Sequence, residues 1–296
     1  MGAKLSRETS AVHQVTVRLA VTGATGVVGG GVARRLATAG IEQRLVVRSP
    51  HRTPALPGAE VAQASYADAP AVRAALAGID TLFMVSGSEE PNRLAAHLTF
   101  VDAAVEAGVR RIVYTSFFHA SPDSTFLLAR DHWHTEARIR DAGLAFTFLR
   151  DNLYADAFLD FAGPEGVIRG PAGKGRLSAV ARADVIDAAV AVLLDAARGE
   201  SRHDGASYGL TGPAALTLDE IADTITRVTG RQVRYQEETV EEAYASREIY
   251  CAPRWQVDAW VSTYTAIAAG ELAEVTDDVR RVTGHPALSL AELLGG

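Results

Sequence analysis

The chain has 296 residues, of which 48% are hydrophobic and 22% charged, an ordinary composition for a folded globular protein. Its net charge of -7 and sequence pI near 5.6 argue against a broad basic surface, so we expect no nucleic-acid partner. The one cysteine, Cys251, excludes an intrachain disulfide and favours a reducing, cytoplasmic location.

Strand-like and helix-like segments alternate through the first half of the chain. Residues 1–15 contain no signal-peptide core, and we interpret them as a flexible extension. Apolar, β-branched segments then predict six strands, at residues 15–21, 43–47, 60–64, 81–85, 111–115 and 145–149. Helices are predicted between them at residues 28–39, 70–76, 93–107 and 127–141. This order predicts an α/β fold with a doubly wound parallel Rossmann-type sheet.

The alternation ends after Arg150. Residues 163–175 predict a loop because they are rich in glycine and proline, and residues 183–197 predict a helix that returns to the sheet. Residues 206–210, 218–228 and 232–235 predict a strand, a helix and a strand of a second lobe. We therefore divide the chain into an NAD(P)-binding Rossmann domain (16–155 with 177–197) and a smaller, mostly helical α/β substrate lobe (156–176 with 198–296). No apolar segment is long enough for a membrane helix, so we expect no membrane partner.

The strongest motif is a glycine loop at residues 23–29, which follows a strand and precedes a helix. In this setting Gly23 permits the turn off the strand, Gly26 lets the backbone approach a pyrophosphate, and Gly29 lets the helix pack against the sheet. The free N–H groups and the dipole of the helix N-terminus then favour phosphate. The motif predicts an NAD(P) cofactor, and the alternative is a tight turn without a ligand.

The end of the second predicted strand bears on the choice of cofactor. Dinucleotide folds that prefer NAD usually place an acidic residue here to bind the ribose hydroxyls. This chain has Arg48, followed by Ser49 and Arg52. Because a guanidinium can bind a 2′-phosphate in bidentate geometry, we predict NADP(H) in preference to NAD(H). The alternative is a solvated surface arginine.

Several segments together point to one family. They are residues 23–29, Arg48-Ser49-Pro50, Tyr114-Thr115-Ser116 and residues 149–154. They resemble the NmrA-like branch of the atypical short-chain dehydrogenases/reductases, and within it the NAD(P)H:quinone oxidoreductases and triphenylmethane reductases. The resemblance extends from about Arg18 to the C-terminus and includes two further segments, Ala181-Arg182-Ala183-Asp184 and Thr283-Gly284-His285-Pro286.

The resemblance implies a set of cofactor contacts. They are Gly23, Ala24, Thr25, Gly26, Val27, Val28, Arg48, Ser86, Gly87, Ser116, Asp151, Asn152, Leu153, Tyr154 and Arg182. Residues 151–154 would lie by the nicotinamide, and Arg182 would face the cofactor. This chain departs from the family at two places: Ser65 replaces a frequent aspartate near adenine, and Asp151-Asn152 replaces the more usual Asn-Gly or Pro-Gly pair.

The catalytic machinery of ordinary short-chain dehydrogenases is absent from the sequence. Their Tyr-x-x-x-Lys pair uses lysine to lower the tyrosine pKa, but no tyrosine here has lysine four residues later. This argues against ordinary alcohol–ketone interconversion. Hydride transfer to a conjugated acceptor requires fewer catalytic groups, because it depends mostly on positioning the cofactor and the acceptor in a dry pocket.

Two residues are candidates for catalysis. His132 lies on the helix after the fifth strand, where the resemblance places a lysine or histidine facing the nicotinamide end, and its imidazole could donate to a developing oxyanion. A structural helix histidine is the equal alternative. Tyr154 is either an acid or a wall of the acceptor site. His134 lies on a different helix face from His132, so we expect no metal site here.

These features predict an NAD(P)H-dependent oxidoreductase that transfers hydride to a quinone-like or other conjugated small-molecule acceptor. Two alternatives stay open. One is a non-catalytic NAD(P)-sensing regulatory protein, and the other is a reductase of a specific aromatic or polyketide metabolite. The sequence also leaves a homodimer open.

Overall fold

A computed structural model describes residues 19–295. Its strands are β1 (Leu19–Thr22), β2 (Gln43–Val47), β3 (Ala59–Gln63), β4 (Thr81–Met84), β5 (Arg111–Phe117), β6 (Ala145–Asp151), β7 (Val167–Gly170), β8 (Arg176–Leu177), β9 (Ala206–Leu210), β10 (Leu216–Thr217) and β11 (Arg234–Glu237). Its helices are α1 (Val27–Thr38), α2 (Ala69–Leu76), α3 (Arg93–Glu106), α4 (Leu127–Asp141), α5 (Phe158–Phe161), α6 (Arg182–Ala197), α7 (Leu218–Thr229), α8 (Val240–Ser246), α9 (Arg254–Ala268), α10 (Asp278–Thr283) and α11 (Leu290–Gly295).

Seven parallel strands form the central sheet in the order β3-β2-β1-β4-β5-β6-β9. The predicted doubly wound parallel sheet is therefore confirmed. The order reverses between β1 and β4, and in this fold class the crevice at such a switch point binds ligands. Residues 1–18, including the predicted extension and the start of the first predicted strand, lie outside the described residues.

Helices cover both faces of the sheet. Leu19 and Val21 of β1 are packed in the core with α1 and α6, whereas Ala20 between them belongs to the core under α2, α3 and α4. This alternation follows from the period of two along a strand, and strands that are apolar on both faces are typical of a parallel sheet between helix layers. Along residues 19–295, every helix falls short of the length and apolarity needed to cross a bilayer.

The strand at residues 206–210 corrects one prediction. We assigned it to the second lobe, but as β9 it pairs in parallel with β6 and forms the seventh strand of the central sheet. β6, α6 and β9 form a strand–helix–strand unit, whose connection from β6 to α6 is lengthened by residues 152–181. This long insertion hides the usual spacing of such a unit in the sequence.

The remaining strands pair outside the central sheet. β7 pairs in parallel with β11, and β8 pairs with β10 in antiparallel orientation. The segment 163–175, which we predicted as a loop, therefore contains the short strand β7. α7 begins with a reciprocal cap, in which Thr217 and Glu220 each accept a backbone N–H of the other. The division into a Rossmann domain and a substrate lobe stays a prediction.

Candidate active site

The turn between β1 and α1 has the geometry that the glycine loop predicts. Gly23 has φ +66°, a left-handed conformation that favours glycine, and its carbonyl accepts the Gly26 N–H at 2.9 Å. A Cβ on Gly29 would lie 2.5 Å from the backbone of Gly23, so only glycine lets α1 approach the strand this closely. The loop therefore fixes the start of α1 directly beyond the end of β1.

The N-terminus of α1 is bare. Gly26 is its N-cap and supplies no side-chain acceptor, and no acidic residue occupies the first turn. The first N–H groups of a helix have no partner within the helix, so this end favours an anion. Gly26, Val27 and Val28 line a cavity of about 640 Å³, so the residues present fit the pyrophosphate of a dinucleotide.

The cavity follows the carboxyl ends of the strands. One end is formed by Arg48, Ser49 and Arg52 beyond β2, and the other by Tyr154 and Arg182. The predicted cofactor residues that line it are Gly23, Thr25, Gly26, Val27, Val28, Arg48, Ser86, Gly87, Tyr154 and Arg182. The switch point of the sheet lies between these two ends.

The other predicted cofactor residues do not line this cavity. Ala24 is only 2% exposed, and the Ser116 hydroxyl donates to buried Glu136 at 2.6 Å. β5 continues to Phe117, two residues beyond the predicted end of this strand, so Ser116 lies within the strand. The Asn152 amide donates to Ser178 Oγ at 2.9 Å, and the Leu153 N–H donates to the Asn152 side-chain oxygen at 2.8 Å. These residues hold the backbone in place around the cavity.

Arg48 is paired at the cavity mouth. Its guanidinium donates to Glu90 Oε1 at 2.8 Å, and the two side chains are 64% and 53% exposed. Glu90 comes from the loop after β4 and also lines the cavity. An ion pair this exposed is weak, so a phosphate that enters the cavity can replace Glu90 as the partner of Arg48.

The loop after β4 is supported from behind by a buried polar network. The Gly87 N–H donates to His97 Nε2 at 2.8 Å, and the Arg93 side chain donates to the Gly87 carbonyl at 3.0 Å. Since His97 Nε2 accepts an N–H, the ring is neutral, and its Nδ1–H faces Thr135 Oγ1 at 3.1 Å. Burial, with the nearby Arg93, lowers the pKa of His97 to about 3. Sequence reasoning missed Arg93, and no spacing or motif marks it.

His132 belongs to this network and does not line the cavity. Its Nε2 accepts from Arg93 at 2.9 Å, and its Nδ1 lies 2.9 Å from the Tyr114 hydroxyl. Burial and the Arg93 charge hold the pKa of His132 well below its usual range. The ring is neutral and both of its nitrogens contact protein groups. His132 therefore lies behind the residues that line the cavity.

Tyr154 forms part of the cavity wall, together with Arg182. Its hydroxyl donates to Asp151 Oδ2 at 2.8 Å, and the Arg182 guanidinium lies 4.7 Å above its ring. Arg182 also pairs with Asp156. Asp151 is 3% exposed, and burial raises its pKa to about 8. A carboxyl that stays protonated near neutral pH can donate a proton, which an ordinary aspartate cannot.

The doubly wound sheet and the uncapped helix at its switch point define a dinucleotide-binding fold of the Rossmann type. The sequence pattern of the NmrA-like family matches residues 16–269, and the chain belongs to this family.

Relatives with known activities agree with this assignment. The chain is 34% identical to quinone oxidoreductase 2 of Escherichia coli over 93% of this chain and 96% of that protein. It is similar to the crystal structure of an NADPH-dependent quinone oxidoreductase from E. coli complexed with NADPH, with a TM-score of 0.83, 33% identity and coverage of 93% and 98%. It is also similar to the triphenylmethane reductase of Citrobacter sp. complexed with NADP(H), with a TM-score of 0.81, 31% identity and the same coverage. The prediction of an NAD(P)H-dependent reductase of the atypical short-chain dehydrogenase type is therefore confirmed.

Proposed function

We propose that this protein uses NADPH to reduce a quinone or a similar conjugated small molecule. The observation that carries the proposal is the cavity at the switch point, with the bare N-terminus of α1 at its centre and Arg48 and Arg52 at one end. The relatives named above act on quinones and triphenylmethane dyes, which share a delocalised electron system that accepts hydride.

Each part of the cavity has a task in this reaction. The α1 N-terminus binds the pyrophosphate, and Arg48 with Arg52 binds the 2′-phosphate that distinguishes NADPH from NADH. When bound, the reduced nicotinamide supplies the hydride. Tyr154 and Arg182 line the end where the acceptor stacks, and they narrow the space open to water. The chain needs no Tyr-x-x-x-Lys pair, because a conjugated acceptor spreads the incoming electron pair.

The test is a turnover assay. NADPH oxidation is followed with benzoquinones, naphthoquinones and a triphenylmethane dye, and NADH is run in parallel. We expect saturable turnover with NADPH preferred, and we expect Arg48→Glu to lower the kcat/KM ratio of NADPH to NADH by about 10- to 100-fold, the loss of one charged phosphate contact. Arg73→Glu is the matched control, since Arg73 is a surface arginine that pairs with Glu106 outside the cavity.

Two outcomes would contradict the proposal. Tight NADPH binding without turnover of any acceptor would favour a cofactor sensor or a reductase of one specific metabolite. An unchanged cofactor preference in Arg48→Glu would remove Arg48 from the phosphate site. A cytoplasmic setting and a homodimer stay predictions.

A further inference from the structure

The carboxyl group of Asp151 has an unusual position for an acidic residue. It ends β6 and is flanked in the sheet by Phe117 of β5 and Leu210 of β9, both apolar. Its Oδ2 accepts from the Tyr154 hydroxyl, whereas its Oδ1 is buried and has no hydrogen-bond partner among residues 19–295. An ionised carboxylate with one unpaired oxygen is costly to bury, and a neutral carboxylic acid is much less so.

Among residues 19–295, no cation contributes to the pKa of Asp151. Burial, the larger effect, raises the pKa of Asp151, and the hydrogen bond from Tyr154 lowers it. The Arg182 guanidinium lies over the Tyr154 ring and is paired with Asp156. These contacts leave the carboxyl neutral at physiological pH, in contact with a hydroxyl whose side chain lines the cavity.

We propose that Asp151 and Tyr154 form a proton-delivery pair: Tyr154 is the catalytic acid that protonates the acceptor oxygen, and Asp151 returns a proton to Tyr154. The proposal rests on the proposed function, because it needs an acceptor in the cavity. It assigns Asp151 a positioning and proton-supplying role, in place of the cofactor contact that the family resemblance implied.

The step balances for a quinone. The acceptor gains one hydride and becomes an anion, and the Tyr154 O–H bond breaks as a new O–H bond forms on the acceptor oxygen. For this step the neutral carboxyl carries its proton on Oδ2, 2.8 Å from the Tyr154 oxygen, and the Tyr154 O–H turns from Oδ2 toward the acceptor. The Asp151 O–H bond then breaks and restores the Tyr154 hydroxyl. The acceptor leaves as the neutral hydroquinone, and the negative charge is left on the Asp151 carboxylate. Once the hydroquinone has left the cavity, water reprotonates the carboxylate through Tyr154.

The acceptor class separates this role from a structural one. A triphenylmethane dye is a cation, so one hydride makes it neutral and no proton is required. A quinone requires both. Loss of the proton donor therefore lowers the quinone rate more than the dye rate, whereas damage to cofactor binding or folding lowers both equally.

The first experiment measures kcat for both acceptors in Tyr154→Phe and Asp151→Asn. We expect the ratio of quinone rate to dye rate to fall about 100-fold in Tyr154→Phe, the typical contribution of a general acid. In Asp151→Asn, the decline of the wild-type quinone rate above about pH 8 should disappear. Tyr250→Phe is the control, because Tyr250 is 64% exposed and outside the cavity. Equal losses with both acceptors would overturn the proposal.

The second experiment needs no turnover. Infrared difference spectra of the cofactor-free protein, wild type minus Asp151→Asn, report the C=O stretch of a protonated carboxylic acid. We expect this band at pH 6 and its loss on titration through about pH 8. If no acceptor is reduced but the band is present, the proposed function fails and the protonated Asp151 stands. If the band is absent at pH 6, Asp151 is ionised and the proton-delivery pair is wrong, whatever the enzyme reduces.

Discussion

The ionisable groups near the two ends of the cavity differ in their exposure to solvent. At one end Arg48 and Glu90 form an ion pair that is more than half exposed, where water and salt screen the interaction. At the other end, behind Tyr154, Asp151 is buried and its pKa is raised, so the protein environment and not the solvent determines its charge. Arg48 can therefore exchange one ionic partner for another at little cost in free energy. A substitution at Asp151, by contrast, changes both the stability of the protein and its proton chemistry.

The largest effect should come from the buried arginine that supports the wall. Arg93 is 5% exposed and contacts Asp131, His132 and the Gly87 carbonyl. Arg93→Ala leaves these groups unpaired, so we expect the free energy of unfolding to fall by about 3–5 kcal/mol. Chemical denaturation measures it, with Arg73→Ala as the exposed control, for which we expect less than about 1 kcal/mol. Similar losses of unfolding free energy in the two variants would show that burial does not determine how much an arginine contributes to stability.

A smaller and pH-dependent effect is expected at Asp151. Between about pH 4 and pH 8 the folded protein keeps a proton on Asp151 that the unfolded chain has released, so wild-type stability declines as pH rises. Asp151→Asn removes this dependence. As pH rises from about 4 to about 8, the free energy of unfolding of the variant should therefore increase by about 2–5 kcal/mol relative to that of the wild type. At higher pH the difference should change little. Denaturation curves at several pH values test this, and a stability difference that does not vary with pH would contradict it.

The smallest effect is expected at Glu90, which competes with a phosphate for Arg48. Glu90→Gln should tighten NADPH binding by about 2- to 5-fold, because an exposed ion pair contributes less than about 1 kcal/mol. NADH binding should not change, and added salt should reduce the gain. Titration calorimetry measures both cofactors. Glu60→Gln is the matched control, since Glu60 is an exposed partner of Arg44 in the sheet. A gain of equal size for NADH would show that Glu90 does not act through the 2′-phosphate.

The sequence predicts the fold well where the local pattern and the tertiary structure agree. α4 spans the predicted residues 127–141, and α2 begins one residue before the predicted helix at 70–76, where the Asp68 side chain accepts the Ala71 N–H. The pattern fails at β9, an edge strand whose residues are partly exposed and which therefore lacks the continuous apolar signal of the inner strands. Its place in the sheet depends on a crossover that residues 152–181 interrupt.

The candidate site is predictable to a similar extent. The glycine loop and Arg48 could be found because their positions follow from one strand–turn–helix unit. The support from Arg93 and His97 could not, since it joins residues of α3 to α4 and to the loop after β4 through side-chain contacts alone. The burial of Asp151 was also hidden, because it depends on flanking strands that lie far away in the sequence.

The insertion between β6 and α6 has a consequence for how such an enzyme changes in evolution. Residues 152–181 leave the sheet and return to it, so both ends of this segment are anchored by the scaffold that forms the cofactor cavity. Mutations and small insertions within the excursion can reshape the space next to Tyr154 while the glycine loop and Arg48 keep their positions. We therefore expect substitutions within this segment to change the choice of acceptor more readily than cofactor binding.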